Sequence, residues 1–149
     1  MAFLIALPLL VYAFFAREAV QAFRAAAIVL VLGGMGGLAS LETGEEAEDI
    51  VEAMPGVETT MIDEHEEQGE WAARLAIAAM IVALGSVVLE ARKPHRRGAI
   101  IAVNLLLCAM AFAASARASK SGGEIRHEEA RPGYDATKPP AVPGSPVEL

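Results

Sequence analysis

The stretch IDEHEEQGEWAARLAIAAMIVALGSVVLE, residues 62–90, begins as an acidic surface helix and ends as a membrane span. No proline interrupts it before Pro94, so one continuous helix is expected, starting at Thr59 or Thr60 and established by Met61. From Trp71 to Glu90 it supplies the roughly 20 apolar residues that a bilayer crossing needs. Three other segments have the same character. They are MAFLIALPLLVYAFFA (1–16), AFRAAAIVLVLGGMGGLASL (22–41) and GAIIAVNLLLCAMAFAASA (98–116). The first is short for a span unless it runs on past Arg17. A signal peptide is its rival reading, but the basic start, a good A-x-A site and a soluble domain behind it are all missing.

The fold class that follows is an all-α membrane protein, a four-helix transmembrane bundle with an extracytoplasmic acidic helical hairpin. Residues 1–129 form the bundle, with spans at about 1–21, 22–41, 71–90 and 98–117 and an outer helical loop at 42–70. Residues 130–149 form a tail holding five of the eight prolines and few large apolar groups, which is expected to be disordered. Composition supports this division. The 149 residues are 54% hydrophobic with a mean hydropathy of +0.42, too apolar for a soluble domain of this size.

Charge gives the orientation. The net charge of −7 is concentrated in residues 41–70, which contain no Lys or Arg. Arg17 and Arg24 flank the first connection, and Arg92, Lys93, Arg96 and Arg97 fill the connection between the last two spans. Short basic loops stay in the cytoplasm, so the acidic loop and both termini are placed on the outer side of the membrane. Arg117 and Lys120 run against this rule. The lack of a basic face on the remainder excludes nucleic acid as a partner. The lone cysteine, Cys108, allows neither an intrachain disulfide nor covalent haem attachment.

Within the outer loop, TGEEAEDIVEAM reads as a short separate helix. Thr43 is its N-cap, Glu46 completes a capping box, and Ala47, Ile50, Val51 and Met54 form an apolar stripe before Pro55-Gly56. On the third helix, Asp63, Glu66, Glu67, Glu70 and Arg74 share one side. His65 falls on the other side with Ile62, Gly69, Ala72 and Ala76. The acids then form a solvated face that points away from His65. Two readings of His65 stand: a side chain hydrogen-bonded to a neighbouring loop, or an inward ligand for haem iron or a transition metal. Gly69, one turn below, leaves room for a flat group. Gly33, Gly34, Gly36 and Gly37 lie at similar depth, with Gly33 and Gly37 spaced for close helix packing. His127, after the fourth span, comes to the same face if Gly122-Gly123 acts as a hinge. Met61 is a possible further ligand, and His95 reads as a solvated loop residue.

FLIALPL at 3–9, TGEEAEDIV at 43–51, His65-Glu66 and GGEIRHE at 122–128, in this order around four spans, resemble a family of bacterial four-helix membrane proteins of unknown function. Some of its members are fused to cytochrome c or Rieske modules. The resemblance covers about residues 3–129 and implies a redox setting, with the histidine and glycine positions carried over to His65, Gly122, Gly123 and His127. Members often carry His-Pro just before FLIALPL, where Met1 and Ala2 stand here. That ligand is therefore absent, or the natural start lies upstream.

Two functions from different classes are expected. One is binding of haem b or a transition metal by His65 and His127, beside Gly69, within an electron-transfer system. Its partners would be the lipid bilayer and a cytochrome or other redox membrane complex, with a homo-oligomer as a further candidate. The other is a structural accessory subunit with no cofactor. The spans hold no deeply placed Asp, Glu, Lys or Arg, which argues against a pump or transporter. With no Ser-His-Asp, P-loop or H-E-x-x-H pattern, an enzyme in its own right is not expected.

Overall fold

A computed structural model describes residues 1–16, 20–52, 59–131 and 133–137. Four α-helices dominate: α1 (Ala2–Phe15), α2 (Val20–Glu52), α3 (Thr59–Arg92) and α4 (Arg97–Arg126). A short 3-10 turn, Pro94–Arg96, joins α3 to α4, and another, Glu128–Ala130, follows α4. Each long helix packs against the next, and α1 closes the ring between α2 and α4. This is an antiparallel four-helix arrangement with short connections.

The buried stripes recur at helical spacing. On α1 they are Phe3, Ala6, Leu10 and Ala13; on α3 they are Ala72, Ala76, Ala79, Ala83, Ser86 and Glu90. The α3 stripe is almost entirely small side chains, so its neighbours approach closely. On α2, Gly34 and Gly37 lie against α3: an added Cβ at Gly37 would sit 3.1 Å from the Ala76 Cβ, and one at Gly34 would collide with Met80. Gly33 instead faces α1, with Ala2 at 3.1 Å. The glycines expected to form a single packing pair therefore serve two different neighbours.

The outside is apolar too. Ile28, Leu32, Ile81, Val103 and Leu106 are each more than half exposed. Such continuous apolar surface is rare on a protein surrounded by water and is what lipid solvates. Three helical stretches are long and apolar enough to cross a membrane: Val20–Gly44, Thr59–Arg92 and Pro94–Ile125. The 14 residues of α1 rise about 21 Å, short of the roughly 30 Å hydrocarbon core. The expected first span of about 1–21 is thus a shorter helix, and residues 17–19 lie outside the described residues.

Two local expectations are corrected. No separate helix starts at Thr43: α2 runs unbroken to Glu52, and the Thr43 hydroxyl donates back to the Ala39 carbonyl at 2.9 Å, as a mid-helix threonine does. A capping-box pattern marks a helix start only where the chain before it is not helical, and LASLE gives α2 no reason to stop. Nor is Gly122-Gly123 a hinge, since α4 continues through both to Arg126. The Pro55-Gly56 stop and residues 138–149 of the tail lie outside the described residues.

Candidate functional site

The site is built where the extended ends of α2 and α3 meet the last turns of α4. Ile62, Ala72 and Ala76 are buried and His65 is half-buried, so His65 does occupy the inward face of α3. Its Nδ1 lies 3.1 Å from the Ser121 hydroxyl of α4. That hydroxyl spends its own proton on the Ala118 carbonyl, 3.0 Å away. With that proton on Ala118, the hydroxyl accepts from His65 in its Nδ1–H tautomer, the arrangement that leaves the Nε2 lone pair available. No protein hydrogen bond to Nε2 is made among the described residues.

The ring lies against Gly122. A Cβ there would stand 2.7 Å from the His65 Cε1 and 3.2 Å from each ring nitrogen. Gly122 thus makes the seat in which the imidazole is held, a role that its pairing with Gly123 in the sequence disguised as a hinge. Gly69 has no neighbour within 4 Å of where a Cβ would be, and it lines a cavity with His65.

This cavity is about 550 Å³ and lies among α2, α3 and α4, with Leu41, Gly44, Val51, Ile62 and Ile125 as its walls. A second space of about 350 Å³ shares Ser40, His65 and Gly69 and reaches down to Phe3, Gly36 and Ala76. Both volumes lie within the range of small-ligand sites. Glu66 and Glu70 also line the larger cavity. The expectation that these two acids point wholly away from His65 is therefore corrected. A ring 100° from its sequence neighbour still shares a broad cavity with it, because the cavity spans more than one helix face. Glu70 is half-buried and pairs at 2.8 Å with exposed Arg74, whose guanidinium carbon lies 5.7 Å from the Trp71 ring centre.

His127 is placed differently. It caps α4, its N–H bonding the Gly123 carbonyl at 3.0 Å. Its side chain is 65% exposed, with Nδ1 3.1 Å from a Glu129 carboxylate oxygen, and it lines neither cavity. The Glu129 carboxyl is held below its ordinary value by its own backbone N–H first and by His127 second. What folds the chain back after α4 is Arg131, whose guanidinium donates to the Glu124 and Ile125 carbonyls at 2.9 and 3.2 Å. These are orphan carbonyls at a helix C-terminus, and arginine satisfies them well. His127 and His65 share neither a cavity nor a hydrogen bond among the described residues. Met61, half-buried, lines neither cavity, and His95 is exposed in the Pro94–Arg96 turn.

Among the described residues, no group of three or more His, Cys, Asp or Glu side chains converges as a metal site. The sequence reading missed one polar cluster. Glu90, at the far end of α3, is 4% exposed and accepts from Arg97 Nε and Nη2 at 3.0 and 2.7 Å, with Arg24 at 3.9 Å. The signal was a lone acid ending an apolar run just before a basic turn. Two turns along α4 from Arg97, buried Asn104 donates to Ser86 and to the Ile100 carbonyl at 2.7 and 2.8 Å.

Comparison with known proteins gives no match to this chain, whether among family models, curated proteins or solved structures.

Proposed function

We propose that this chain is an integral four-helix protein of a bacterial inner membrane that binds haem b through His65 as part of an electron-transfer system. The acid-rich ends of α2 and α3 and both termini face the periplasm, and α1 completes the bundle. The observation that carries the reading is the state of His65. Its Nδ1 is in hydrogen-bond contact with Ser121, its edge is seated on Gly122, its Nε2 makes no protein hydrogen bond among the described residues, and the residue lines a cavity of about 550 Å³. An imidazole that donates from one nitrogen and keeps the other as an acceptor is the usual state of a ligating histidine.

The donor set favours haem over a bare ion. A metal held only by side chains needs three or four convergent ligands, and the described residues offer one imidazole there. Haem brings its own four nitrogens and needs as little as one histidine from the protein. When bound, it would supply one-electron chemistry; the chain would supply the His65 nitrogen, a glycine-lined space and apolar walls. The electron-transfer setting rests on the family resemblance.

A second reading is a structural accessory subunit without a cofactor. The fit of Gly34 and Gly37 against α3, and of Gly33 against α1, supports it, because these contacts serve packing alone.

The purified protein separates the two. A Soret band that His65→Ala removes, with helical content unchanged, supports haem binding. Gly69→Leu should abolish the band equally, by filling the space, although it touches no ligating atom. A colourless wild type, prepared from cells supplied with haem, refutes the haem reading and leaves the accessory role.

A further inference from the structure

At the end of the bundle opposite His65, five cationic residues fall at the ends of α2, α3 and α4 and in the turn between them, and two of these, Arg24 and Arg97, pair with buried Glu90. Arg24 comes from the start of α2, Arg92 and Lys93 from the end of α3, Arg96 from the connecting turn, and Arg97 from the start of α4. Glu90 neutralises only part of this charge. Arg97 binds it through two nitrogens, whereas Arg24 stands at 3.9 Å and keeps 49% of its side chain exposed. The buried carboxylate therefore holds Arg24 of α2 and Arg97 of α4 against the end of α3, while Arg92, Lys93 and Arg96 are left exposed.

The surroundings set the depth of this cluster. Beside it on α3, Val88 and Leu89 are 52% and 40% exposed, a surface suited to acyl chains. The end of α1 lies at the same level, because α1 runs antiparallel to α2 with Ala2 against Gly33. There Tyr12, Phe14 and Phe15 are exposed, the last at 78%. An exposed tyrosine at the level of a cationic rim, with apolar side chains around it, is the pattern of the boundary between hydrocarbon and headgroups.

We infer that this end of the bundle is a binding site for acidic phospholipid headgroups. Arg24, Lys93 and Arg96 would provide the outward-facing donors, and Glu90 would fix the spacing of Arg24 and Arg97. Clusters of Lys and Arg next to a span recognise anionic lipid through charge, and arginine adds a forked donor that matches phosphate. The inference needs the chain to sit in a bilayer but is independent of haem. It survives a colourless protein.

The full-length protein is reconstituted in nanodiscs of phosphatidylcholine mixed with phosphatidylglycerol, and the lipids retained on its release are counted by native mass spectrometry. Phosphatidylglycerol should be enriched over its share of the disc. Lys93→Gln and Arg96→Gln, exposed changes that leave the Glu90 pairs intact, should each lower the enrichment about five-fold, the factor for roughly 1 kcal/mol per cation at an anionic surface. Arg24→Gln should lower it at least as much. Lys120→Gln and Arg74→Gln, at the opposite end, should leave it unchanged. Absence of enrichment, or equal losses from the two ends, overturns the proposal. So does displacement of the lipid by excess inorganic phosphate, which would make the ligand a soluble anion.

Discussion

Adjacent glycines on α4 should respond to alanine with opposite signs. In a helix interior, replacing glycine by alanine stabilises by about 0.8–1 kcal/mol. Gly123 has open space where the methyl would go, so Gly123→Ala should gain up to about this much. At Gly122 the methyl would stand 2.7 Å from the His65 ring, which must be displaced. Forcing that overlap costs about 1–3 kcal/mol, and losing the bond to Ser121 adds about 0.5–1.5 kcal/mol. Subtracting the helix gain leaves Gly122→Ala destabilised by about 2 kcal/mol, and separates the two variants by about 3 kcal/mol. Reversible unfolding in mixed detergent micelles measures both. In a His65→Ala background the collision partner is gone, so Gly122→Ala should turn stabilising, a coupling that a double-mutant cycle isolates. If Gly122→Ala matches Gly123→Ala in the wild type, the ring does not rest on Gly122, and the geometry ascribed to His65 is wrong.

Three further outcomes are expected. A cysteine placed at exposed Glu42 should react with a membrane-impermeant maleimide in intact spheroplasts, and one placed at Lys93 should not, buried Cys108 giving little background; the reverse pattern would invert the orientation. Glu90→Ala removes the buried carboxylate that Arg97 binds and should cost about 2 kcal/mol, below the about 3–5 kcal/mol of a fully buried pair because Arg97 is 26% exposed and can reach water. Glu70→Ala, which breaks the exposed pair with Arg74, should cost under about 1 kcal/mol in the same unfolding measurement, and equal losses would show that burial does not set the difference.

The long apolar runs made α2, α3 and α4 readable, because a span is encoded by composition over some twenty residues and tolerates local ambiguity. His65 was readable for a related reason: helical periodicity assigns a face once the helix is known, and α3 has no breaker. What failed were inferences from short local signals. Thr43 and Glu46 have the form of a cap, yet whether a cap forms depends on the preceding turns, which here continue the helix. Gly122-Gly123 has the form of a hinge, yet one of the two is small because a ring from α3 rests on it. The Glu90 cluster joins the start of α2 to the junction of α3 and α4, and no periodicity within one helix reports such an encounter. His127 shared a side of the membrane with His65 in the sequence reading, but sidedness fixes height and not azimuth around a bundle.

The spacing of the polar features along α3 sets a thickness scale. From Gly69 to Glu90 the helix rises about 31 Å, close to the hydrocarbon depth of a bilayer. In a bilayer spanned by α3, the Glu90 cluster at one end and the histidine cavity at the other would lie near opposite interfaces, held apart by one helix of fixed length. A thicker membrane would submerge the cavity and strip water from His65, and a thinner one would lift it into the aqueous phase. Tilt can absorb some of this mismatch, at a cost of fractions of a kcal/mol per Å. The polarity around the histidine then becomes a property shared between the protein and the acyl-chain length of its host membrane.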